Sequence, residues 1–315
     1  MSTLTENGAS APAALHCPGC GATQEEVTVL LRGRDRLTGA PGDFEVLACG
    51  ECGLAFTEPR IGPDDFATYY PESYSAYVPR ARIQRRSIGE RIDSLHLDAL
   101  VRVGPYRRVW RQGPGRVLDV GCGTGDLAAV FARGGWQAYG IEPSTQAAEF
   151  AREAGVEAVN GTLDDAPWED GFFDAIVFNH SLEHIDDPAA ALEKAARMLR
   201  PGGLLAIAVP NFGSWHRRAF GSAWFQLDLP RHLQHFDRDS LRELVSRSGL
   251  RPVAASAASM RPSPLGSIQY ALLGGMRYEG RWFRILAWAL SPLLLLSDRV
   301  GEGDCLHLVA TKNAD

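Results

Sequence analysis

The segment Val117-Leu118-Asp119-Val120-Gly121-Cys122-Gly123-Thr124-Gly125-Asp126 has the residue types and spacing of a ligand-binding corner. A short apolar run carries a carboxylate, meets three alternating glycines and opens a helix at Asp126. Glycine at these positions lets the backbone close on a flat, bulky ligand that a side chain would hold away. Such a strand–loop–helix corner lies at the carboxyl end of a parallel sheet, where open α/β folds bind cofactors. A dinucleotide loop would read G-x-G-x-x-G and seat a pyrophosphate on the helix N-terminus. Here the spacing is G-x-G-x-G, and the helix begins with a carboxylate. Asp126 suits the helix dipole but repels a phosphate on the same amides. Asp119 can receive a cationic amino group, so the predicted ligand has an ammonium and no phosphate.

Downstream residues extend the pattern. Glu142, in Gln137-Ala138-Tyr139-Gly140-Ile141-Glu142-Pro143, stands about twenty residues past the glycines, where an acidic side chain can hold two ribose hydroxyls. Asn160-Gly161-Thr162-Leu163-Asp164 ends in a carboxylate that could accept from an adenine amino group. Phe172-Phe173-Asp174-Ala175-Ile176-Val177-Phe178-Asn179-His180-Ser181-Leu182-Glu183-His184 supplies an apolar strand with a polar exit.

Over residues 116–211 this series resembles the class I S-adenosylmethionine-dependent methyltransferases. The resemblance implies that Asp119, Gly121, Cys122, Gly123 and Gly125 face the methionine moiety, Glu142 the ribose and Asp164 the adenine. It places Pro143 and Leu163 in the same cofactor site, and Asn179 and His180 on the sulfonium side. It also implies an α/β fold, a seven-stranded, mainly parallel Rossmann-like sheet with helices on both faces and an antiparallel last strand.

Two histidine groups offer further chemistry. Methyl transfer is an in-line displacement at a sulfonium carbon, accelerated largely by alignment. A hydroxyl acceptor also benefits from a base titrating near neutrality, the ordinary range of histidine. His180, Glu183 and His184 have a spacing that could ligate a divalent ion. Some small-molecule O-methyltransferases with a similar Leu-Glu-His run use such a set, with a glutamate where this chain has His180. The other reading has Glu183 and His184 satisfying backbone groups at the corner. The second group is Asp228-Leu229-Pro230-Arg231-His232-Leu233-Gln234-His235-Phe236-Asp237. It resembles the substrate-side loop of bacterial methyltransferases that carry a Pro-Arg-His-Leu-x-His-Phe run. His232 or His235 is then a candidate base and Arg231 a candidate holder of an anionic group. Alternatively, the histidines brace the loop and Asp237 caps the next helix.

The elements that must position these residues alternate regularly. Strands are expected at 116–121, 137–142, 156–160, 173–179 and 203–209, and helices near 126–134, 144–154, 188–199 and 238–248. This βα alternation implies a mainly parallel sheet covered on both faces. Asp187-Pro188 starts one helix and Pro201-Gly202-Gly203 stops it. The family resemblance makes Arg251–Ser259 and Asp304–Thr311 the final two strands of a domain spanning 116–315. Between them, the insertion 260–303 carries a leucine run flanked by Trp and Arg. It reads as an interfacial helix touching lipid through 281–300, or as a helical lid, a buried cap or a dimer contact.

Cysteine spacing sets the N-terminal module, 15–56. Cys17, Cys20, Cys49 and Cys52 form C-x2-C…C-x2-C, with strand character at Glu26–Leu31 and Asp43–Ala48. Four thiolates favour a structural tetrahedral Zn²⁺ in a zinc ribbon. Two disulfides are the rival, which a cytoplasmic setting disfavours. The paired cysteines also resemble the N-terminal zinc module of deoxysugar C-methyltransferases. Cys122 and Cys305 have no motif partner. Residues 1–14 read as a disordered tail. Residues 57–115 read as linker and helices, with tyrosines at 69, 70, 74 and 77 that form either a flap or an aromatic linker. Nine arginines between 80 and 111 face Glu90, Asp93 and Asp98; they make either an anion site or a solvated helix face.

The chain has 315 residues, a formal net charge of −6 and two lysines. That balance does not suit electrostatically driven nucleic-acid binding. No secretory leader or membrane-spanning run is expected, which points to a cytoplasmic protein with peripheral membrane contact as an option. The expected activity is methyl transfer from S-adenosylmethionine to a small-molecule, sugar or glycolipid-like acceptor, with oxygen the first choice of acceptor atom and carbon the second. The rivals are a nucleic-acid or protein methyltransferase that docks through its ribbon, and a non-catalytic binding module on the same scaffold.

Overall fold

Two copies of one short turn organise the N-terminal module. The computed structural model describes residues 15–24, 28–62, 65–71, 99, 101–102, 104–277, 281–289 and 291–314. The tail, most of the arginine-rich segment, Tyr74 and Tyr77 lie outside the described residues. Leu15–His16 (β1) pairs with Thr23–Gln24 (β2) around the first cysteine pair. Thr28–Gly33 (β3), Phe44–Ala48 (β4) and Ala55–Glu58 (β5) form antiparallel neighbours, with the second cysteine pair between β4 and β5. At each pair the first cysteine exchanges bonds across the turn. Cys17 donates to Ala22 and accepts from Gly21, while Cys49 donates to Leu54 and accepts from Gly53.

The seven-stranded sheet follows. Arg116–Val120 (β6), Gln137–Glu142 (β7), Glu157–Asn160 (β8), Phe173–Asn179 (β9) and Leu199–Pro210 (β10) are mutually parallel. Gln234–His235 (β11) belongs elsewhere. Arg251–Ala258 (β12) and Cys305–Thr311 (β13) close the edge, β13 antiparallel to both its neighbours. The order is β12-β13-β10-β9-β6-β7-β8; seven strands with an antiparallel last strand are what the family resemblance implies. The central strands are buried on both faces, so they read as continuous apolar runs: Ala175, Ile176, Val177 and Phe178 of β9, and Leu205 to Val209 of β10.

Helices cover both faces. Arg107–Gln112 (α1) precedes the sheet, and Asp126–Arg133 (α2) follows the glycine loop. Thr145–Glu153 (α3) is capped by the Ser144 hydroxyl, and Pro188–Met198 (α4) by Asp187 with proline in its first turn. Trp215–Phe220 (α5) and Arg238–Arg247 (α6) lie between β10 and β12, and Asp237 caps α6 reciprocally with Ser240. The insertion folds as Ser263–Leu273 (α7), Arg281–Ala289 (α8) and Ser291–Arg299 (α9).

Two details depart from the expected outline. Strand β10 begins at Leu199, directly after α4, with a register shift before Leu204 that absorbs Pro201-Gly202-Gly203. The ribbon sheet has four strands in the order β11-β5-β4-β3, so Gln234 and His235 of the later chain pair with Phe56 and Ala55. A boundary at 56 therefore falls inside β5, and the ribbon and the histidine loop share one sheet.

Candidate active site

The glycine loop is tied down at both ends. Gly121 N donates to Ile141 O at 2.9 Å, and Gly125 N to Cys122 O at 2.9 Å. Gly121 has φ 68° and Gly125 φ 80°, in the left-handed region that L side chains avoid. A Cβ at Gly121 would stand 2.7 Å from Ser181 Cβ, and one at Gly125 2.9 Å from Ala151 Cα. The loop thus needs glycine both for its conformation and for its close approach to the β9 exit and to α3.

Two carboxylates face this loop. Asp119 is buried, and its Oδ1 has no hydrogen-bond partner among the described residues. Burial, with Glu142 nearby, pushes its carboxyl up to about 8. At neutral pH it carries a proton that an ammonium partner would displace. Glu142 is also buried and raised by burial, against hydrogen bonds from Ser144 N to Oε1 and Gly123 N to Oε2, both 2.9 Å. Further along, Thr162 and Asp165 cap each other around a short 3₁₀ turn, leaving the Asp164 side chain exposed and Leu163 buried beneath it. This donor set fits an adenosyl cofactor with a cationic tail. Pro143 is exposed, and its carbonyl accepts from Asn160 Nδ2 at 2.9 Å. The Cys122 side chain corrects the expectation: its Sγ lies under Gly140, where a Cβ would come within 2.6 Å, so it packs against the sheet rather than facing a ligand.

At the β9 exit, Asn179 Oδ1 accepts from the buried Tyr106 hydroxyl at 2.6 Å. His180 follows with φ 54°. Its Nε2 lies 3.6 Å from Cys305 Sγ and its Nδ1 3.4 Å from Glu183 Oε1. Burial lowers the basicity of His180, but Cys305 and Glu183 outweigh it and raise the group well above its usual value. Burial raises the Cys305 thiol; His307, also 3.6 Å away, and His180 reverse this and bring it to about 6. Nothing in the local sequence around Cys305 or Tyr106 announces this contact, because it joins α1 and β13 to β9.

A second group gathers around Glu183, which is fully buried; apart from the ion pair with His180, its oxygens have no hydrogen-bond partner among the described residues. Burial would raise it, but His180, His232 and His184 hold it below its usual value. His184 Nδ1 lies 2.9 Å from Arg231 O, and His232 Nδ1 2.9 Å from Gln226 O. A carbonyl only accepts, so each Nδ1 carries a proton. The two rings meet edge to face at 4.7 Å. Burial and His184 push His232 down to about 4, so it is neutral at physiological pH. Its Nε2 is 4.0 Å from Glu183 Oε1 and 3.9 Å from Asp228 Oδ2.

Three expectations are revised here. The donor group is Glu183, His184 and His232, whose ligand atoms lie within 4.8 Å of one another, while His180 is engaged with Cys305. His235 is a brace: its Nε2 meets Thr57 Oγ1 at 2.8 Å, the Thr57 hydroxyl donates to His232 O at 2.7 Å, and burial takes the ring down to about 3. Arg231 is fully buried, with Asp35 Oδ1 at 2.7 Å and Asp228 Oδ1 at 2.6 Å, so its charge is already matched inside the protein.

In the ribbon, Cys17 Sγ is 3.5 Å from Cys52 Sγ and Cys20 Sγ 3.7 Å from Cys49 Sγ, all four within 4.8 Å. A tetrahedral zinc with bonds of about 2.3 Å sets its sulfurs roughly 3.8 Å apart, so the four thiols fit that ion. None of the six cysteines is in a disulfide.

Comparison with known proteins agrees with the fold. A methyltransferase-domain family model matches residues 88–255, just over half of the chain. A ubiquinone biosynthesis O-methyltransferase from Xanthomonas oryzae pv. oryzae is 35% identical over 130 residues, covering 38% of this chain and 54% of the relative. The chain thus spans about half the length of the curated relatives it matches. Among solved structures, the [4+2]-cyclase SpnF is 22% identical with a TM-score of 0.51, covering 74% of this chain and 85% of that one. A putative sarcosine dimethylglycine methyltransferase from Galdieria sulphuraria is 17% identical with a TM-score of 0.50, covering 76% and 93%. Both structures share the fold.

Proposed function

We propose, for a chain that belongs to the methyltransferase-domain family and has the class I fold, transfer of a methyl group from S-adenosylmethionine to a hydroxyl of a small-molecule, sugar or glycolipid-like acceptor. The observation that carries the choice of oxygen is the neutral His232, its Nδ1–H fixed on Gln226 O and its Nε2 lone pair 4.0 Å from the buried Glu183 carboxylate. The curated relatives named as O-methyltransferases support the same acceptor atom. Carbon is the second choice.

The cofactor, when bound, supplies an electrophilic methyl on a sulfonium. Asp119 holds its ammonium, Glu142 the ribose hydroxyls and Asp164 the adenine amino group, while Asn179 and His180 line the sulfonium side. His232 Nε2 takes the acceptor proton. The resulting imidazolium lies beside Glu183 and Asp228, whose charges stabilise it as it forms. Because Nδ1–H is fixed on Gln226 O, the ring cannot offer the wrong tautomer. Glu183, His184 and His232 also fit a divalent ion, which would acidify an acceptor hydroxyl directly. The His232 lone pair serves one role or the other, so metal analysis of the purified protein separates them. Cys17, Cys20, Cys49 and Cys52 hold a structural zinc in this reading.

His232→Ala tests the proposal. Turnover should fall by about 10²–10⁴ while affinity for S-adenosylhomocysteine stays the same. Unchanged turnover would remove His232 from the chemistry. Docking of a nucleic acid on the ribbon would show as salt-sensitive RNA binding, which the net charge of −6 argues against.

A further inference from the structure

The insertion between β12 and β13 has one face that the fold uses and one that it does not. Inward, Tyr270, Ala287 and Leu294 are buried. Ser267 Oγ accepts from Phe225 N at 2.9 Å, and Trp215 Nε1 donates to Ser297 Oγ at 2.8 Å. These contacts seat the insertion on the turn that precedes His232. Outward, each helix presents an adjacent apolar pair: Leu272 and Leu273, Ile285 and Leu286, Leu295 and Leu296. Leu272 is 78% exposed and Leu296 64%. Consecutive helices of the insertion touch, so the pairs belong to one folded unit.

Exposed apolar groups on this scale mark an interaction site rather than scattered surface leucines. The charge of the segment selects the partner. Residues 260–303 hold Arg261, Arg277, Arg281, Arg284 and Arg299 against Glu279, Asp298 and Glu302, five minus three or an excess of +2, in a chain of net −6. Arg277 and Arg299 are exposed and stand within five residues of the Leu272/Leu273 and Leu295/Leu296 pairs in the chain. A twofold contact between copies would turn this positive excess on itself. The high exposure of single leucines describes protruding ridges, which a fluid surface accepts without a matching groove. No helix among the described residues is long and apolar enough to cross a membrane, so the contact lies in the plane of the surface.

The geometry points to docking of this face on an anionic phospholipid surface, with the paired leucines in the acyl boundary and the arginines at headgroup level. The inference goes beyond methyl transfer and holds whichever residue acts as base. The test is co-sedimentation of the full chain with phosphatidylcholine vesicles, with and without about a third phosphatidylglycerol. Binding should require the anionic lipid and weaken at high salt. Leu286→Ser with Leu296→Ser should weaken it by about tenfold or more, with an unchanged melting temperature, since both side chains are more than half exposed. Failure to sediment with either vesicle, equal binding to both, or full binding by the double variant would overturn the inference. A wild-type dimer that the double variant loses in lipid-free ultracentrifugation would assign the face to a second copy instead.

Discussion

The residues proposed to hold the cofactor and those proposed to serve the acceptor are positioned in opposite ways. Residues 116–164 bring Asp119, the glycines, Glu142 and Asp164 together through consecutive βα units, each side chain a few residues from the turn that places it. The side proposed for the acceptor instead joins Glu183 and His184 to a loop at 226–235 that is held from the ribbon by Asp35 and Thr57 and, just before β13, by the Asp304 carbonyl, which accepts from Gln226 Nε2. The first half is local. The second depends on three distant segments staying in place.

The largest effect expected from this contrast is that of removing the zinc proposed for the four cysteines. Cys17→Ser should release the ion, whose binding in comparable sites is worth about 10–16 kcal/mol, and unfold the N-terminal module. Turnover should disappear while S-adenosylhomocysteine still binds. A metal-free protein with unaltered melting would refute the ribbon site, and loss of cofactor binding would refute the separation of the halves.

Next in size is the buried pair that joins ribbon and loop. Arg231→Ala leaves Asp35 buried without its partner and should cost about 3–5 kcal/mol in chemical denaturation. A cost below about 1 kcal/mol would mean that the loop is held by other contacts.

The histidines give a pH signature of similar order. His232 is depressed to about 4 and His235 to about 3, from 6.5. Between those values the unfolded chain binds more protons than the folded one. Stability is therefore full above about pH 6.5 and is lost as pH falls toward 4 and 3. Each ring contributes on the order of 3 kcal/mol. His235→Asn should flatten that slope; a stability curve level from pH 7 to 4 would contradict the buried neutral rings.

Legibility in the sequence followed the same division. The βα alternation, the glycine loop and the strand-end positions of Asp119 and Glu142 could be read because spacing along a βα unit translates directly into position at the strand ends. His232 was legible as a candidate, but its partners were not. Gln226 lies in the preceding turn, and Glu183 is nearly fifty residues upstream. Arg231 reads as an anion holder when only the loop is seen; Asp35, from the ribbon hairpin, neutralises it. Tyr106 and Cys305 come from opposite ends of the fold, and no periodicity links them to Asn179 and His180. The metal-ligand grouping of His180 with Glu183 and His184 followed sequence neighbours, whereas the left-handed backbone at His180 turns that ring toward Cys305 and lets His232 take its place.

The central claim is that the corner beyond Val120 receives an ammonium on Asp119. Calorimetric titration with S-adenosylhomocysteine at pH 7, in buffers of different ionisation enthalpy, addresses it directly. Asp119 titrates near 8 in the free protein, so binding should release up to about one proton, and affinity should rise as pH increases toward 8. Asp119→Asn should abolish the release and weaken binding by about 10–100-fold. Buffer-independent heats together with equal affinity in the variant would contradict the account.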